Sequence, residues 1–480
     1  MRHISKQRKE SIYNNADAIA HERENWMNRN RFYHQSNLDY LRFLIPEGKR
    51  ILVLGSSTGF ILAGLRPSLG IGMDFSERKV AIAREKYPHL IFQVGDVEDG
   101  DVFDTLQQYI PFDFILLPNT LAYLEDCQSL LEKLHFLCTE ETRIIFIYLS
   151  WFWEPLLKFG QKIGMHTPRC EMNMLSQNDI QSFLHLSGFD PVKHEKRQLL
   201  PLSLFGLGTI VNRFLAPLPG VNRLCLCNYL VARPAPGLTN RSDSTSIIIP
   251  CRNEKYNIEP AIQRTPRFCK ELEFIFVEGG SSDGTYEECL RVQNAYPDCL
   301  IKVFKQPGIG KGDAVRKGFA EAKGNIFMIL DADLTVPPEE LPKFHHALTS
   351  GQGEFINGTR MVYPMEKQAM RFLNYWANQL FSWLFSWLLN QRFTDTLCGT
   401  KVLSRKHYQL IAQDRHYFGN FDPFGDFDLI FGATKQNLKV VEIPIRYCAR
   451  RYGETQISRF SHGFLLMRMV LFAFRKLKAF

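Results

Sequence analysis

Two α/β domains in tandem are what the sequence predicts, on three observations. A chain of 480 residues exceeds the ~250–300 residues at which a single core usually splits. Short apolar segments alternate with helical patterns on both sides of the middle of the chain, the signature of parallel sheets flanked by helices. Between the two series, Arg233 to Ser246 reads R-P-A-P-G-L-T-N-R-S-D-S-T-S, where Pro, Gly, Ser and Asn replace the apolar periodicity. The predicted division is residues 1–235, a linker at 236–245, and residues 246–480.

Taken in order, the first half opens with a helical extension. Five segments then predict short buried strands: 50–54, 69–73, 90–94, 112–117 and 142–149. The second half repeats the pattern at 246–249, 273–277, 301–304 and 326–330. An apolar fraction of 45% with 22% charged residues is enough to bury a core in each half and argues against disorder. Residues 1–10 are polar and basic, without the apolar run of a secretory signal, so a cytoplasmic location is expected. None of the eleven cysteines forms a C-x-x-C pair, which excludes a zinc knuckle of that spacing, and no disulfide frame is indicated. Cys225 and Cys227 are read as strand residues. The formal charge of +8 is concentrated at one end, where residues 446–480 carry eight Lys/Arg against one acid. There the charges interleave with Phe464, Leu465, Leu466, Met469, Val470, Leu471 and Phe472, which favours an anionic membrane surface over nucleic acid.

In the first half, Ile51 to Leu54 runs into Gly55-Ser56-Ser57-Thr58-Gly59, a buried strand, a glycine turn and the start of a helix. Such a turn lets a ligand lie against the backbone. Asp74 follows Gly55 by nineteen residues at the end of the next strand, where a carboxylate can accept from both hydroxyls of a ribose, and Asp96 ends a third strand. With these residues the segment from about Arg50 to Pro234 resembles the class I S-adenosylmethionine-dependent methyltransferases. The resemblance implies a Rossmann-like fold with S-adenosyl-L-methionine as cofactor. By it, Gly55 and Gly59 border the methionine part, Asp74 the ribose, Asp96 the adenine side, and Asn119 faces the cofactor. Ser57 stands where the family usually has glycine. A G-x-G-x-x-G is absent, which disfavours a dinucleotide site. The histidines at 34, 135, 166, 185 and 194 are isolated and read as structural residues. Trp151 and Trp153 could line an acceptor pocket or pack an exposed edge.

In the second half, Ser246-Ile247-Ile248-Ile249-Pro250 delivers Arg252, Asn253 and Glu254 to the carboxyl end of a strand, where open sheets bind ligands. The next strand delivers Glu278-Gly279-Gly280-Ser281-Ser282-Asp283-Gly284-Thr285, whose acid can accept from a base or ribose. Gly310-Lys311-Gly312-Asp313-Ala314 starts a helix whose amides, with the lysine, could face a diphosphate. Ile326 to Leu330 ends in Asp331-Ala332-Asp333. If the strand stays extended, both acids point to one side, and two bare carboxylates so close need a shared cation such as Mg or Mn. Together these four motifs resemble the inverting family 2 glycosyltransferases of GT-A fold, with the nearest likeness to polyprenol- and dolichol-phosphate sugar transferases, across about Ser246 to Gln456. The resemblance implies that Asp331 and Asp333 take the metal. It puts Asn253, Glu254 and Glu278 by the nucleoside of a nucleotide-sugar donor, and Lys311 by the donor. Glu278-Gly279 replaces a usual pair of aspartates, and Thr335 a usual Gln or His. Gly358-Thr359-Arg360 and Cys398-Gly399-Thr400-Lys401 match loops near the acceptor. Asp426 and Asp428 match an acidic pair and are the candidate bases for a hydroxyl acceptor; a phosphate acceptor is already anionic and needs none. Arg450 and Arg451, with Arg360, are the candidates for acceptor phosphate. Gln456 stands where the family has lysine.

The combined expectation is a glycosyltransferase fused to a methyltransferase, working on a polyprenyl phosphate or other membrane-surface acceptor, with no nucleic acid partner. Its rival keeps the first half as a silent methyltransferase-fold module that docks a partner. Residues 463–474 and 376–389 are apolar but too short to cross a bilayer: the first spans only ~18 Å as a helix against a ~30 Å hydrocarbon core. Peripheral attachment to a cytoplasmic membrane face is expected, with core packing as the alternative for both segments.

Overall fold

The computed structural model describes residues 2–99, 101–162, 172–235, 244–362, 372–419, 425–448, 450, 452 and 459–480. The chain divides into two compact units, Met1–Ala235 and Pro236–Lys478.

The first unit is built on a seven-stranded sheet. Its strands are β1 (Arg50–Leu54), β2 (Leu69–Asp74), β3 (Ile91–Val94), β4 (Phe114–Pro118), β5 (Arg143–Leu149), β6 (Phe189–Arg197) and β7 (Cys227–Pro234). They lie in the order β3-β2-β1-β4-β5-β7-β6, with β7 antiparallel to both neighbours. Alternation sets the layers: Leu52, Leu54, Ile115, Leu117, Ile144 and Phe146 enter the core on one face. Ile51, Val53, Phe114, Leu116, Ile145 and Ile147 enter the core on the other. Because both faces are covered, the central strands read as continuous apolar runs, which is why they are visible in the sequence. β6 is not: its F-D-P-V-K-H-E-K-R is charged, carries a proline and bulges between Pro191 and Lys193. Cys227 opens β7, whereas Cys225 precedes it. Three helices, Arg2–Ala18, Ala20–Arg29 and Arg31–Leu44, precede β1.

The second unit carries β8 (Thr245–Cys251), β9 (Leu272–Glu278), β10 (Leu300–Lys305), β11 (Ile326–Ile329), β12 (Phe355–Thr359), β13 (Lys401–Ser404) and β14 (Val440–Pro444). Their order is β10-β9-β8-β11-β13-β12-β14, and β13 runs against β11 and β12. β8, β9 and β11 are parallel neighbours, so their carboxyl ends share one edge. No described helix is long and apolar enough to cross a membrane. The helices Phe372–Leu389 and Arg459–Ala473 are each two-faced where their side chains are described. Phe381, Phe385 and Leu388 on the first and Leu466, Met469 and Ala473 on the second are buried, while Leu380, Trp383, Phe464, Met467 and Leu471 are exposed.

Candidate functional sites

In the second unit, the loops that follow β8, β9 and β11 meet the start of the helix Lys311–Glu321 around a cavity of about 690 Å³. Asp331 and Asp333 both line it. The premise that these carboxylates are bare does not hold: each has its own basic partner. Lys311 Nζ lies 2.7 Å from Asp331 and Arg450 Nη2 lies 2.7 Å from Asp333. The backbone N–H and hydroxyl of Thr335 also donate to Asp333, at 3.1 and 2.8 Å. Burial pushes the Asp331 carboxyl up, but Lys311 beside it outweighs that and holds it below the usual carboxylate range. Burial likewise pulls Lys311 down, yet the Asp331 and Asp426 carboxylates raise it above its ordinary value. Gly399 closes against this pair so tightly that a Cβ there would sit 1.9 Å from Asp331 Oδ2 and 2.6 Å from Lys311 Nζ.

Asp426 also lines the cavity, between Lys401 at 3.1 Å and Lys311 at 3.7 Å. Asp428 does not. The sequence reading treats the two acids as a pair, but Asp426 is the N-cap of the helix Phe427–Lys435, and positions two apart on a helix face different ways. Asp428 is accordingly turned to Arg415, whose Nε donates at 2.8 Å.

Arg360 lines the cavity, but its guanidinium is engaged. Nε and Nη2 donate to the buried Asp395 at 2.6 and 2.8 Å, and the Arg360 amide adds a third bond at 3.1 Å. That fork occupies Nε and Nη2 of the arginine that the sequence names as a candidate for acceptor phosphate. Arg450 reaches both Asp333 and, at 3.4 Å, Glu254. Arg451 lies outside the described residues. Glu254 lines the cavity, and burial raises its carboxyl above the usual range against Arg450 and Asn257. Asn253, Glu278 and Asp283 do not line it; Asn253 and Asp283 tie the loops after β8 and β9 together, and Glu278 holds the turn that follows it. Asn253 Oδ1 accepts from the Ser282 amide at 2.9 Å, and Glu278 accepts from the Ser281 amide. Asp283 accepts from the amides of Lys255 and Thr285 at 3.2 and 3.0 Å.

In the first unit, Gly55, Ser57, Asp74, Asp96 and Asn119 line one cavity of about 180 Å³. Asp74 accepts from the amides of Ser57 at 2.8 Å and Ser76 at 3.1 Å, which fixes its carboxylate and leaves acceptor capacity on both oxygens. Ser57 holds φ of +52°, a left-handed conformation that costs a non-glycine residue about 1 kcal/mol and explains why glycine suits this position. Gly59 does not line the cavity; it is the left-handed N-cap of the helix Phe60–Gly64. The far wall is the N-terminal helix Arg2–Ala18. Its Lys9 lies 2.5 Å from Asp96 and its Tyr13 hydroxyl donates to the same carboxylate. Burial pushes Asp96 up, but those two partners hold it below its usual value. The cavity is smaller than the ~300–1,000 Å³ of typical ligand pockets, and Lys9, Ile12, Tyr13 and Ala16 of this helix line it.

Residues 246–409 match the family model described as glycosyl transferase family 2, and residues 45–188 match one described as a methyltransferase domain. The chain joins a methyltransferase domain to a family 2 glycosyl transferase domain. A dolichol-phosphate mannosyltransferase of Pyrococcus furiosus is 37% identical over 119 residues, 24% of this chain and 33% of that protein. An undecaprenyl-phosphate 4-deoxy-4-formamido-L-arabinose transferase of Proteus mirabilis is 26% identical over 220 residues, 45% of this chain and 63% of that protein. The chain thus spans less than two thirds of the length of these relatives. An S-adenosylmethionine-dependent methyltransferase of Thermotoga maritima, a solved structure, aligns with 46% of this chain and 99% of its own at 17% identity and a TM-score of 0.35.

Three residues of the two domains escaped the sequence reading, and a fourth, Lys401, was placed in an acceptor-side loop without its partner. Lys401 is wholly buried against Asp426, and in the same domain the missed residue is Asp395, which holds Arg360. In the methyltransferase domain they are Lys9 and Tyr13. A lysine inside an otherwise apolar strand start, Lys401-Val402-Leu403, was the available signal for Lys401; nothing local marks the others, whose partners lie 35 to 87 positions away.

Proposed function

We propose that the glycosyl transferase domain moves a sugar, with inversion, from a nucleotide-sugar donor to a lipid-linked acceptor of the polyprenyl phosphate class, and that the methyltransferase domain uses S-adenosyl-L-methionine. The observation that carries the first part is the convergence of Asp331, Asp333, Asp426, Lys311 and Arg450 on one cavity. The activities of the relatives, a dolichol-phosphate and an undecaprenyl-phosphate sugar transferase, support the acceptor class.

The residues present fit a hard divalent cation: two carboxylates facing a roomy cavity, with no side chain at Gly399 to block Asp331. Asp331 and Asp333 would hold it, and bound there it would offset the charge of the donor diphosphate. Lys311, at the first position of its helix, can leave Asp331 for a phosphate oxygen, and Arg450 can do the same from Asp333. Asp426 is the base for a hydroxyl acceptor; facing a phosphate acceptor it orients the two lysines instead. Arg360, fixed by Asp395, presents an immobile guanidinium edge to the acceptor side. Glu254 is the acid nearest the nucleoside, with Asn253, Glu278 and Asp283 shaping the loops around it.

The exposed stripe Phe464, Met467 and Leu471, with Arg468 and Arg475 also exposed along the same segment, supports peripheral attachment of this domain to an anionic bilayer. Assay of a panel of nucleotide sugars against polyprenyl phosphates, with and without chelator, tests the reading. Transfer that depends on added Mg or Mn and is lost in Asp333→Asn is expected. Transfer surviving both chelator and substitution would sink the cation role, and no transfer with any donor would sink the acceptor class.

The methyltransferase cavity also favours a second reading, a silent module, because the N-terminal helix already engages Asp96. Calorimetric titration with S-adenosylmethionine separates the two: no binding at millimolar cofactor leaves the silent module.

A further inference from the structure

The methyltransferase domain carries an apolar projection that neither its core nor its cofactor cavity uses. Between β6 and β7 the chain makes two short helical turns, Leu204–Gly206 and Leu207–Ile210, followed by a π-helical turn, Val211–Leu215. Leu204, Phe205, Leu207, Ile210 and Phe214 are all exposed, and Phe205 has no cover at all, at 110% relative exposure. The last three recur at helical spacing, so they share a stripe. A run of large exposed apolar side chains marks an interaction site.

The projection is held in shape at a cost. Leu204 and Phe205 have φ of +41° and +55°, a left-handed conformation that bulky side chains avoid. The Asn212 side chain clamps the base, donating to the Leu200 carbonyl at 2.7 Å and accepting from the Leu200 amide at 2.9 Å. Strain of this kind persists only where the surroundings hold it, and it clusters at ligand clamps and functional sites. A second exposed stripe, Phe152, Leu156 and Phe159, hangs from the same end of the sheet. It is joined there by the Trp153 indole, which donates to the Leu224 carbonyl at 2.7 Å, and by the Ser150 amide, which donates to the Leu226 carbonyl at 2.8 Å.

The charge around the projection chooses the occupant. From Lys196 to Pro234 there are five basic residues and no acid; Arg197 and Arg233 have Glu195 and Asp190 beside them, while Arg213 and Arg223 are exposed at the projection. In a two-fold pair of this chain the same face would meet itself, setting these arginines against one another without an acid to pair. A nucleic acid would leave the apolar tip in water. An anionic lipid surface accepts both, the side chains below the headgroups and the arginines among the phosphates. We propose that the methyltransferase domain docks on an anionic bilayer through the 204–215 projection, independently of the C-terminal helix and of whether either domain is catalytically active.

The test uses the full chain with vesicles of phosphatidylcholine alone or mixed with phosphatidylglycerol, read by co-sedimentation and by peptide-resolved hydrogen exchange. Anionic vesicles are expected to slow exchange in residues 202–215. Phe205→Ser with Ile210→Ser is expected to weaken partitioning by about tenfold or more, since two large apolar groups lose their burial. The proposal is overturned if the unmodified protein shows no protection of 202–215 on bound vesicles, a result that does not depend on the variant folding. It is also overturned if a folded variant partitions unchanged, which would assign binding to the C-terminal helix alone. Protection that rises with protein concentration without lipid, alongside a dimer in sedimentation velocity, would replace it with a self-association surface.

Discussion

Replacing Asp395 with asparagine removes one charge from a buried pair; Oδ2 accepts the Arg360 amide and Oδ1 the Leu397 amide, each at 3.1 Å, and the single oxygen of asparagine keeps one of these two bonds. Asp395 is inaccessible and the Arg360 side chain only 14% exposed, so the guanidinium is left without its counter-charge in a site with little water. Breaking such a pair from one side costs about 3–5 kcal/mol. For a unit of this size each 1 kcal/mol lowers the melting temperature by about 2–4 °C, so a drop of about 6–20 °C is expected. Adding Arg360→Met removes the orphaned charge, and the double variant should regain most of the loss, returning to within about 1–2 kcal/mol of the parent. Urea unfolding of the full chain, followed by a signal from the second unit, measures all four proteins. The reasoning fails if Asp395→Asn costs less than about 1 kcal/mol, or if the double variant loses the sum of the two single losses; Arg360 would then be energetically free of Asp395 and available to phosphate.

Other outcomes follow from the same geometry. Gly399→Ala should abolish sugar transfer with the melting temperature changed by less than the Asp395→Asn shift, because its methyl enters the space between Asp331 and Lys311; unimpaired transfer would refute the crowding. Asp74→Ala should weaken S-adenosylmethionine binding by about 1–3 kcal/mol in calorimetry, the range for hydrogen bonds to buried hydroxyls left unmade. Tyr13→Phe with Lys9→Met should raise the cofactor association rate in stopped flow if the N-terminal helix limits entry. The Asp331 and Asp395 carboxyls lie below their usual range in the folded chain through Lys311 and Arg360 respectively. Their contribution is therefore full above the ordinary carboxylate value and is lost as pH falls through the lower, folded one. The second unit's melting temperature should drop below about pH 4, with a shallower slope in Asp395→Asn.

The parts legible in the sequence were those with a local cause. β1, β4, β5, β8 and β11 are buried on both faces and show as apolar runs, and Asp331 and Asp333 stood out because an apolar strand led straight into them. Asp428 was misjudged because spacing alone does not say whether a segment is extended or helical; the helix at Phe427 turns it away from Asp426. Asn253, Glu278 and Asp283 carry the residue types that bind nucleosides, but the same types bind backbone amides in tight loops, and here they do. Arg360 and the helix that carries Lys9 and Tyr13 depend on partners distant in the chain, and no local pattern encodes those.

Three of the acids on the second unit's cavity each face a basic group: Asp331 with Lys311, Asp333 with Arg450, Asp426 with Lys401. These six groups are together electrically neutral before anything binds. A diphosphate entering alone would leave the set doubly negative, and a divalent cation entering alone doubly positive; only together do they restore neutrality. Whatever favours one then favours the other by the same factor, since coupling between two ligands is reciprocal. Were a cation held by Asp331 and Asp333, Lys311 and Arg450 would be released from those acids and would be the groups left to meet the phosphates.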